Sequence, residues 1–504
     1  MRRRIGLAAV VLLAACGGPP PAPPGTIVVA LANSPVNLDP AVGLDEASQK
    51  LHQLLYTSLL KVDAQLRVVP DLAVRFETGD SQTYVAEIPP GVRFHDGREL
   101  TAADVVFTYR RFLDPAFTSG RKGAYRDLAS VDATGTHTVA FRLQAPSASF
   151  PINLVMGIVP EGTGPEAARR PIGSGPYRLQ SFVPDDHVLL EAYSDYYRGP
   201  AKNAGLLFKV VPDATMRGLE LQKGTVDLVV NDLVPDVVHG LRQDPSLAVH
   251  EGPGTDYAYL AFNLRDPRLQ DVRVRHAIGH AIDRTAIVQF LRRGLARPAT
   301  GIVPPMSWAY EPGVLELTYD PARARALLDE AGLPDPDGGG PGARLSLSLT
   351  TSTDERARLQ AAVIQEQLAQ IGVAIDVRSF EFSTMLQDVV RGNTELYTLQ
   401  YVGITDPDML RRAFHSSQIP PNGFNRGYYV NPRFDRVIEA ATAAIDPAER
   451  LRLYRDAQRI IAADAPYISL WVMTNVAVAR ADLTGISLSP IADFAFLRDV
   501  QKRN

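Results

Sequence analysis

The chain has 504 residues, of which 45% are hydrophobic and 21% are charged, and its formal net charge at pH 7 is −4. This length suits two or three domains, and 52 basic against 56 acidic residues exclude the broad basic surface of a nucleic-acid-binding protein. Cys16 is the only cysteine, which excludes an internal disulfide, a thiolate metal cage and a cysteine nucleophile in the mature fold.

The first residues predict an export signal. Three arginines at positions 2–4 precede an apolar run over residues 5–15, which is shorter than the roughly 20 residues of a membrane-spanning helix. This order predicts a signal peptide over residues 1–15. The tetrapeptide LAAC, which ends at Cys16, resembles the lipobox of bacterial lipoproteins, whose cysteine carries the lipid. An ordinary signal peptide followed by an incidental cysteine is the alternative.

Residues 17–25, GGPPPAPPG, are too rich in proline and glycine to pack. We therefore interpret residues 16–25 as a lipidated cysteine and a tether that holds the remaining chain off a membrane. No later segment of the sequence approaches a membrane span. A monomer in the periplasmic space, lipid-anchored to a bacterial membrane, is the expected form.

Two helix starts are predicted near the beginning of the globule. The first helix carries buried leucines from Leu51 to Leu59, and Asp45 is its predicted N-cap. The second begins at Thr101, which forms a capping-box signal with Asp104.

An alternating segment predicts a strand near the middle of the chain. Ala258, Leu260 and Phe262 form an apolar face, whereas Tyr257 and Asn263 belong to the opposite face. That second face is a candidate lining for a cleft.

Further along, three strand patterns alternate with two helical patterns. The strands are predicted over residues 345–349, 373–377 and 396–402, and the helices end at Gly372 and Arg391. This β-α-β-α-β order predicts parallel strands with right-handed crossovers.

A long polar loop follows the third of these strands. It begins at Gly403 and runs for about thirty residues, against roughly 2–6 for an ordinary connection of this kind. Ligands of open parallel sheets bind beyond the carboxyl ends of the strands, so residues 395–429 are the first place to seek a ligand site.

Several motifs follow one another along the chain: LDPA at 38–41, PDLA at 70–73, GVRFHDGRELTAADVVFTYRRF at 91–112, GSGPYRL at 173–179, RGLELQKGTVDL at 217–228, DVRVRHAIGHAIDR at 271–284 and YDPARARALLDEAG at 319–332. Together they resemble the family 5 extracellular solute-binding proteins, which are substrate-capturing lipoproteins of peptide, dipeptide and nickel ABC importers.

The resemblance implies an α/β, two-lobed periplasmic-binding-protein fold with an additional subdomain inserted in the first lobe. The first lobe would span residues 26–262, with the inserted subdomain at about 60–170. The second lobe would span residues 263–475, and residues 476–504 would return to the first lobe.

The resemblance also implies ligand-contacting positions. Backbone contacts from Tyr401, Val402 and Gly403 carry over to this chain, and Asn33 and Pro35 are expected on the first-lobe wall.

One family feature is missing. In peptide-binding members a carboxylate three residues before the acidic-Pro pair holds the ligand's ammonium group. Here that pair is Asp406-Pro407, and the matching position is Gly403. Three readings stay open: another acid substitutes, the ligand is held differently, or the ligand has no free amine. The free amine is accordingly predicted to matter less than in relatives that have the acid.

Three polar residues of the loop are further candidates. Asp406 is either a ligand contact or a helix N-cap, and the cap is favoured. Asn425 and Arg426 are candidate ligand contacts, because an arginine presents a planar fork to a carboxylate. A surface arginine paired within the loop is the alternative for Arg426. On the first reading, Arg426→Ala weakens binding of a carboxylate-bearing ligand more than tenfold.

The leading hypothesis is a substrate-binding lipoprotein that hands a peptide or similar solute to ABC permease subunits. A non-peptide solute, such as a metal chelate, a glycoside or an opine-like compound, is the alternative within this class. A hydrolase and a sensory or structural lipoprotein are alternatives from other classes. No G-x-S-x-G, P-loop or C-x-x-C motif is present, and the sequence predicts no catalytic residue, metal ion or cofactor.

Overall fold

The computed structural model describes residues 22–340 and 342–503. The predicted signal peptide, the predicted lipidation site at Cys16 and most of the predicted tether lie outside the described residues.

The strands of the described residues are β1 (Thr26–Leu31), β2 (Leu60–Val62), β3 (Val68–Pro70), β4 (Arg75–Thr78), β5 (Thr83–Glu87), β6 (Leu128–Gly135), β7 (Thr138–Leu143), β8 (Tyr177–Val183), β9 (His187–Ala192), β10 (Gly205–Val210), β11 (Leu228–Val230), β12 (Leu247–Phe262), β13 (Ala296–Pro298), β14 (Leu345–Ser352), β15 (Val373–Phe380), β16 (Leu396–Tyr401), β17 (Tyr467–Arg480), β18 (Leu483–Thr484) and β19 (Gln501–Lys502). The α-helices are α1 (Glu46–Leu55), α2 (Ala102–Arg110), α3 (Ala214–Lys223), α4 (Pro235–Leu241), α5 (Pro267–Gln270), α6 (Val272–Ala281), α7 (Arg284–Leu291), α8 (Pro321–Glu330), α9 (Glu355–Ala369), α10 (Phe382–Arg391), α11 (Met409–Phe414), α12 (Pro432–Ala443) and α13 (Pro447–Asp464).

One sheet runs through both halves of the molecule. Its strands lie in the order β15-β14-β16-β12-β17-β11-β1-β10-β9-β8, and β13 also pairs with β17. The two long strands β12 and β17 are antiparallel neighbours at its centre, where β12 pairs with β16 and β17 pairs with β11. The chain therefore crosses between two α/β lobes in these two strands.

The first lobe is built on β1, which is parallel to β10 and β11. Helix α1 packs its leucines on this sheet, and Asp45 caps the helix as predicted, accepting a hydrogen bond from the Ser48 N–H at 2.8 Å. The helix ends at Leu55, so the prediction that it carries Leu59 is wrong. The backbone is already extended at Tyr56, and Leu59 is buried in a different core.

That different core belongs to a subdomain inserted in the first lobe. It contains a separate antiparallel sheet of order β4-β5-β7-β6, and α2 packs on it. The predicted capping box of α2 is confirmed, because the Asp104 carboxylate accepts a hydrogen bond from the Thr101 N–H at 2.8 Å. The predicted two-lobed α/β fold with an additional subdomain is thus confirmed.

The second lobe contains the predicted β-α-β-α-β unit. Strand β14 is parallel to both β15 and β16, with α9 and α10 as the crossovers. Gly372 ends the first crossover with a φ of +81°, a conformation that favours glycine. Leu345, Leu347 and Leu349 pack against Ile364 of α9, so the strand prediction is confirmed.

The inserted subdomain also touches the second lobe. Arg450 of α13 donates a hydrogen bond to the Ser149 hydroxyl at 2.8 Å, and the Trp308 N–H donates to the Gln65 carbonyl at 3.0 Å. These bonds bridge the two lobes away from the crossing strands. Space between the lobes is therefore bounded on more than one side.

Candidate functional site: the interlobe cavity

A cavity of ≈1060 Å³ lies between the lobes. The first lobe contributes residues of α1 and of the segment after β11, and the crossing strands contribute residues such as Asp256 and Trp471. The second lobe contributes Arg292, the ends of β14 and β16, and α10. Its volume lies just above the range of about 300–1,000 Å³ for small-molecule sites, which suits a short peptide.

The first-lobe wall carries a nearly buried lysine with two acids. Lys50 lies 2.8 Å from a Glu46 carboxylate oxygen and 3.7 Å from one of Asp232. Burial raises the pKa of Asp232, and the Lys50 charge opposes this rise. Lys50 is therefore paired within the protein, and this wall carries one more acid than base.

The second-lobe wall carries an arginine without an acid. The Arg292 guanidinium lies against the Met473 sulphur and 5.7 Å from the centre of the Trp471 ring. Within residues 22–340 and 342–503 it forms no ion pair with a carboxylate, and its Nε is buried without a hydrogen-bond partner. Burial, followed by the neighbouring Arg356 charge, lowers the pKa of Arg292 to about 10, and the Asp354 charge opposes this change. An anion bound here would favour the charged guanidinium and so counteract the lowering of its pKa.

The crossing strand β12 contributes an acidic residue, Asp256, to the cavity lining. Asp256 accepts hydrogen bonds from the Gly403 N–H at 2.8 Å and from the Gln400 side-chain amide at 3.2 Å. Burial raises the pKa of this carboxyl group. One cavity thus contains a cation, Arg292, and an anion, Asp256, neither of which forms an ion pair among the described side chains.

Two of the residues predicted to bind ligand line this cavity. Val402, with 75% of its surface exposed, and Gly403 lie at the end of β16, where the polar loop begins. A Cβ added to Gly403 would meet no atom within 4 Å, so the position opens onto free space.

The predicted residues Tyr257, Asn263 and Tyr401 are not among the lining residues of this cavity. The Tyr257 hydroxyl forms a 2.7 Å hydrogen bond with Ser469, and its side chain lines a second cavity of ≈50 Å³ inside the second lobe. The Asn263 amide donates to backbone carbonyls, and the Tyr401 hydroxyl donates to the Phe424 carbonyl.

The predicted first-lobe positions lie beside the cavity without lining it. Asn33 is exposed, Pro35 is buried, and both belong to the segment between β1 and α1.

Asp406 lies in the second lobe, before helix α11. Its carboxylate accepts a hydrogen bond from the Asp408 N–H at 2.8 Å, as a capping residue does. The helix begins at Met409, however, and its N-cap is Asp408, so the prediction that Asp406 is the N-cap is wrong. Between Asp406 and the helix the backbone forms a turn, in which the Met409 N–H donates to the Asp406 carbonyl and the Leu410 N–H donates to the Pro407 carbonyl.

Asn425 and Arg426 lie at the far end of the same loop. Asn425 is 1% exposed, and its amide donates to the carbonyls of Phe414, His415 and Tyr429. The Arg426 guanidinium lies 5.2 Å from the centre of the Phe424 ring. Neither residue lines the interlobe cavity.

Sequence reasoning did not single out Asp256 or Arg292. Asp256 directly precedes the alternating segment that begins at Tyr257, and a charged residue at the edge of a buried strand is a usable signal. Arg292 follows helix α7 and gives no comparable signal.

Among residues 22–340 and 342–503, no group of three or more His, Cys, Asp or Glu side chains is arranged to hold a metal ion. No helix in this part of the chain has the length and apolar character that crossing a membrane requires.

The fold and the interlobe cavity define a two-lobed solute-binding protein. A model of the family described as bacterial extracellular solute-binding proteins, family 5 Middle, matches residues 67–420. The glutathione-binding protein GsiB of Escherichia coli (strain K12) is 30% identical over 510 residues, which cover 98% of this chain and 98% of GsiB. The chain therefore belongs to family 5 of the bacterial extracellular solute-binding proteins, the substrate-binding components of ABC importers, as the sequence motifs predicted.

Solved structures agree with this assignment. The oligopeptide-binding protein AppA from Bacillus subtilis, in complex with a nonapeptide, matches with a TM-score of 0.76 and 28% identity over 95% of this chain and 99% of AppA. NikZ from Campylobacter jejuni, in complex with Ni(L-His), matches with a TM-score of 0.78 and 25% identity over 95% of this chain and 100% of NikZ.

Proposed function

We propose that this protein is a lipid-anchored periplasmic receptor that captures a peptide or peptide-like solute between its lobes and delivers it to an ABC permease. The observation that carries the proposal is the pair of opposite charges without an ion-pair partner in one cavity, Arg292 on the second lobe and Asp256 on a crossing strand. A peptide is a zwitterion, so one molecule offers the opposite charge to each.

Closure around such a solute follows from its contacts. A ligand that touches both lobes binds the closed state more tightly than the open state, and it shifts the equilibrium by that difference. Binding in the micromolar range corresponds to about −8 kcal/mol. A partly buried charge that gains a partner on binding contributes to this free energy, because part of its desolvation has already occurred in the free protein.

Native mass spectrometry of protein purified without denaturation tests the class of solute. A retained mass that fragments as a short peptide supports the proposal. A retained metal chelate, as in the complex of NikZ, would replace the peptide by the non-peptide alternative. The proposal includes no catalytic step, and turnover of ester or peptide substrates that a single substitution abolishes would support a hydrolase instead.

Arg292→Gln tests the cationic side of the cavity. We expect at least a tenfold loss of affinity for peptides with a free C-terminal carboxylate and less than a twofold change for the same peptides amidated at the C-terminus. Arg297→Gln, an exposed position outside the cavity lining, is the matched control. Equal losses for free and amidated peptides would exclude a carboxylate at Arg292.

The anchoring part of the proposal depends on Cys16. Its support is the LAAC tetrapeptide with the Pro/Gly-rich segment behind it. Cys16→Ser is expected to move the exported protein from the membrane fraction to the soluble periplasmic fraction. Unchanged membrane association of this variant would contradict lipidation.

A further inference from the structure

The crossing strand β12 departs from regular pairing at the cavity. From Pro253 to Tyr257 this strand advances four residues, whereas its partner β17 advances only two, from Thr474 to Val472. A bulge of this kind bends the strand and redirects side chains. Asp256 lies within the bulge and lines the cavity.

The bulge also holds the start of the polar loop. The Gly403 N–H donates to the Asp256 carboxylate at 2.8 Å, and the Ile404 N–H donates to the Thr255 carbonyl at 3.3 Å. These two bonds place the Asp256 carboxylate beside the backbone of Gly403, at the carboxyl end of β16. The acid that position 403 lacks is therefore present from a different strand.

The Asp256 carboxylate retains capacity for a ligand. A carboxylate has about four acceptor positions, of which the Gly403 N–H uses one on Oδ1 and the Gln400 amide uses one on Oδ2. In the part of the chain that the structure describes, no lysine, arginine or histidine nitrogen lies within 4.0 Å of it. Glu46, on the opposite wall, adds to the rise in its pKa that burial causes.

A partly buried carboxylate without an ion-pair partner destabilises the protein, and a cation that arrives with the ligand offsets this cost. We propose that Asp256 binds the ammonium group of the solute and thereby selects ligands with a free amine. This inference rests on the proposed function, because it identifies the amine-binding group of the same cavity. Of the three readings that the missing acid at position 403 left open, it selects substitution by another acid.

Asp256→Asn tests this role with little change of shape. The asparagine oxygen still accepts from the Gly403 N–H, and a rotated Gln400 amide accepts from its NH₂ group. Native mass spectrometry is carried out with a pool of synthetic di- to pentapeptides and with the same pool acetylated at the N-terminus. We expect the wild type to retain free-amine peptides at least tenfold better than acetylated ones, and Asp256→Asn to lose this preference.

A second variant distinguishes ligand binding from a structural role. Gly403→Asp in the Asp256→Asn background returns a carboxylate to the open space at position 403, where a Cβ meets no neighbour. An aspartate tolerates the φ of +65° there better than most residues do. We expect it to restore at least part of the preference for free amines.

The outcomes are separable. A wild type that retains free and acetylated peptides equally, or an Asp256→Asn variant that keeps the preference, would overturn the role of Asp256 and leave the receptor function intact. A wild type that retains no peptide from either pool would instead refute the proposed function itself. Failure of Gly403→Asp to restore any preference, together with a lower unfolding temperature of Asp256→Asn, would assign Asp256 a structural role only.

Discussion

The two ends of the loop after β16 serve different purposes. Its first residues, Val402 and Gly403, line the interlobe cavity, whereas its last residues, from Phe424 to Tyr429, pack within the second lobe. Asn425 alone makes four hydrogen bonds with the backbone there. A long loop at the ligand-binding edge of a sheet is thus no guide to which of its residues meet the ligand. The packed residues at the end of the loop fix its course, and only the residues at its start line the cavity.

The largest expected effect is at the buried end. Asn425→Ala leaves three carbonyls and the Tyr429 N–H without their partner, so we expect the free energy of unfolding to fall by about 3–4 kcal/mol. Denaturant unfolding measures this, and the folded fraction should keep its ligand affinity. Asn422→Ala, exposed in the same loop, is the control. A loss of affinity at unchanged stability would instead make Asn425 a ligand contact.

Asp406, between the two ends, has a pH-dependent effect. Burial raises the pKa of its carboxyl group from 3.8 to about 6, and the Arg450 charge opposes this rise. A raised acid pKa stabilises the fold below pH 4, and this contribution is lost as the pH rises through 6. We therefore expect Asp406→Asn to raise the free energy of unfolding by about 2–3 kcal/mol at pH 7.5 and to change it little at pH 4.

Thermal unfolding at the two pH values checks this expectation. Asp376→Asn, an exposed aspartate on β15, removes the same charge and should show no comparable difference between the two pH values. An Asp406→Asn variant that is less stable than the wild type at pH 7.5 would show that the charged carboxylate is needed.

At the cavity end, the effect falls on affinity. Val402→Ala removes two methyl groups that are exposed in the free protein and become covered by the solute. We expect a two- to fivefold loss of affinity in calorimetric titration, corresponding to about 0.5–1 kcal/mol, without a loss of stability. Val430→Ala, at another exposed valine that lies outside the cavity lining, should leave affinity unchanged. Equal losses of affinity for the two variants would show that Val402 does not contact the solute more than Val430 does.

The smallest expected effect on affinity is that of Arg426→Ala. Because its guanidinium lies over the Phe424 ring and outside the cavity lining, we expect less than a twofold change in affinity and a stability loss of about 0.5–1 kcal/mol. The sequence predicted a loss of affinity of more than tenfold. A titration of the variant with a carboxylate-bearing peptide decides between the two, and a tenfold loss would place the loop end in the ligand site.

Local patterns along the sequence predicted the elements of the fold well. Helix α10 ends at Arg391 as its pattern indicated, and Asp45 caps α1, because caps and periodicity depend on residues within one or two turns. The motifs predicted the two-lobed family fold, because they occur along most of the chain in the order that the family shows. The helix starting at Met409 was placed too early, since Asp406 makes a turn that resembles a cap.

By itself, the sequence determined the β-α-β-α-β unit of the second lobe, the caps of α1 and α2, the family and the place where the polar loop begins. Only the tertiary structure decided that Asp256 and Arg292 line one cavity while Asn425 and Arg426 do not. The reason is physical: a bulge in one crossing strand and the meeting of two lobes position these charges, and neither depends on residues that are close in sequence.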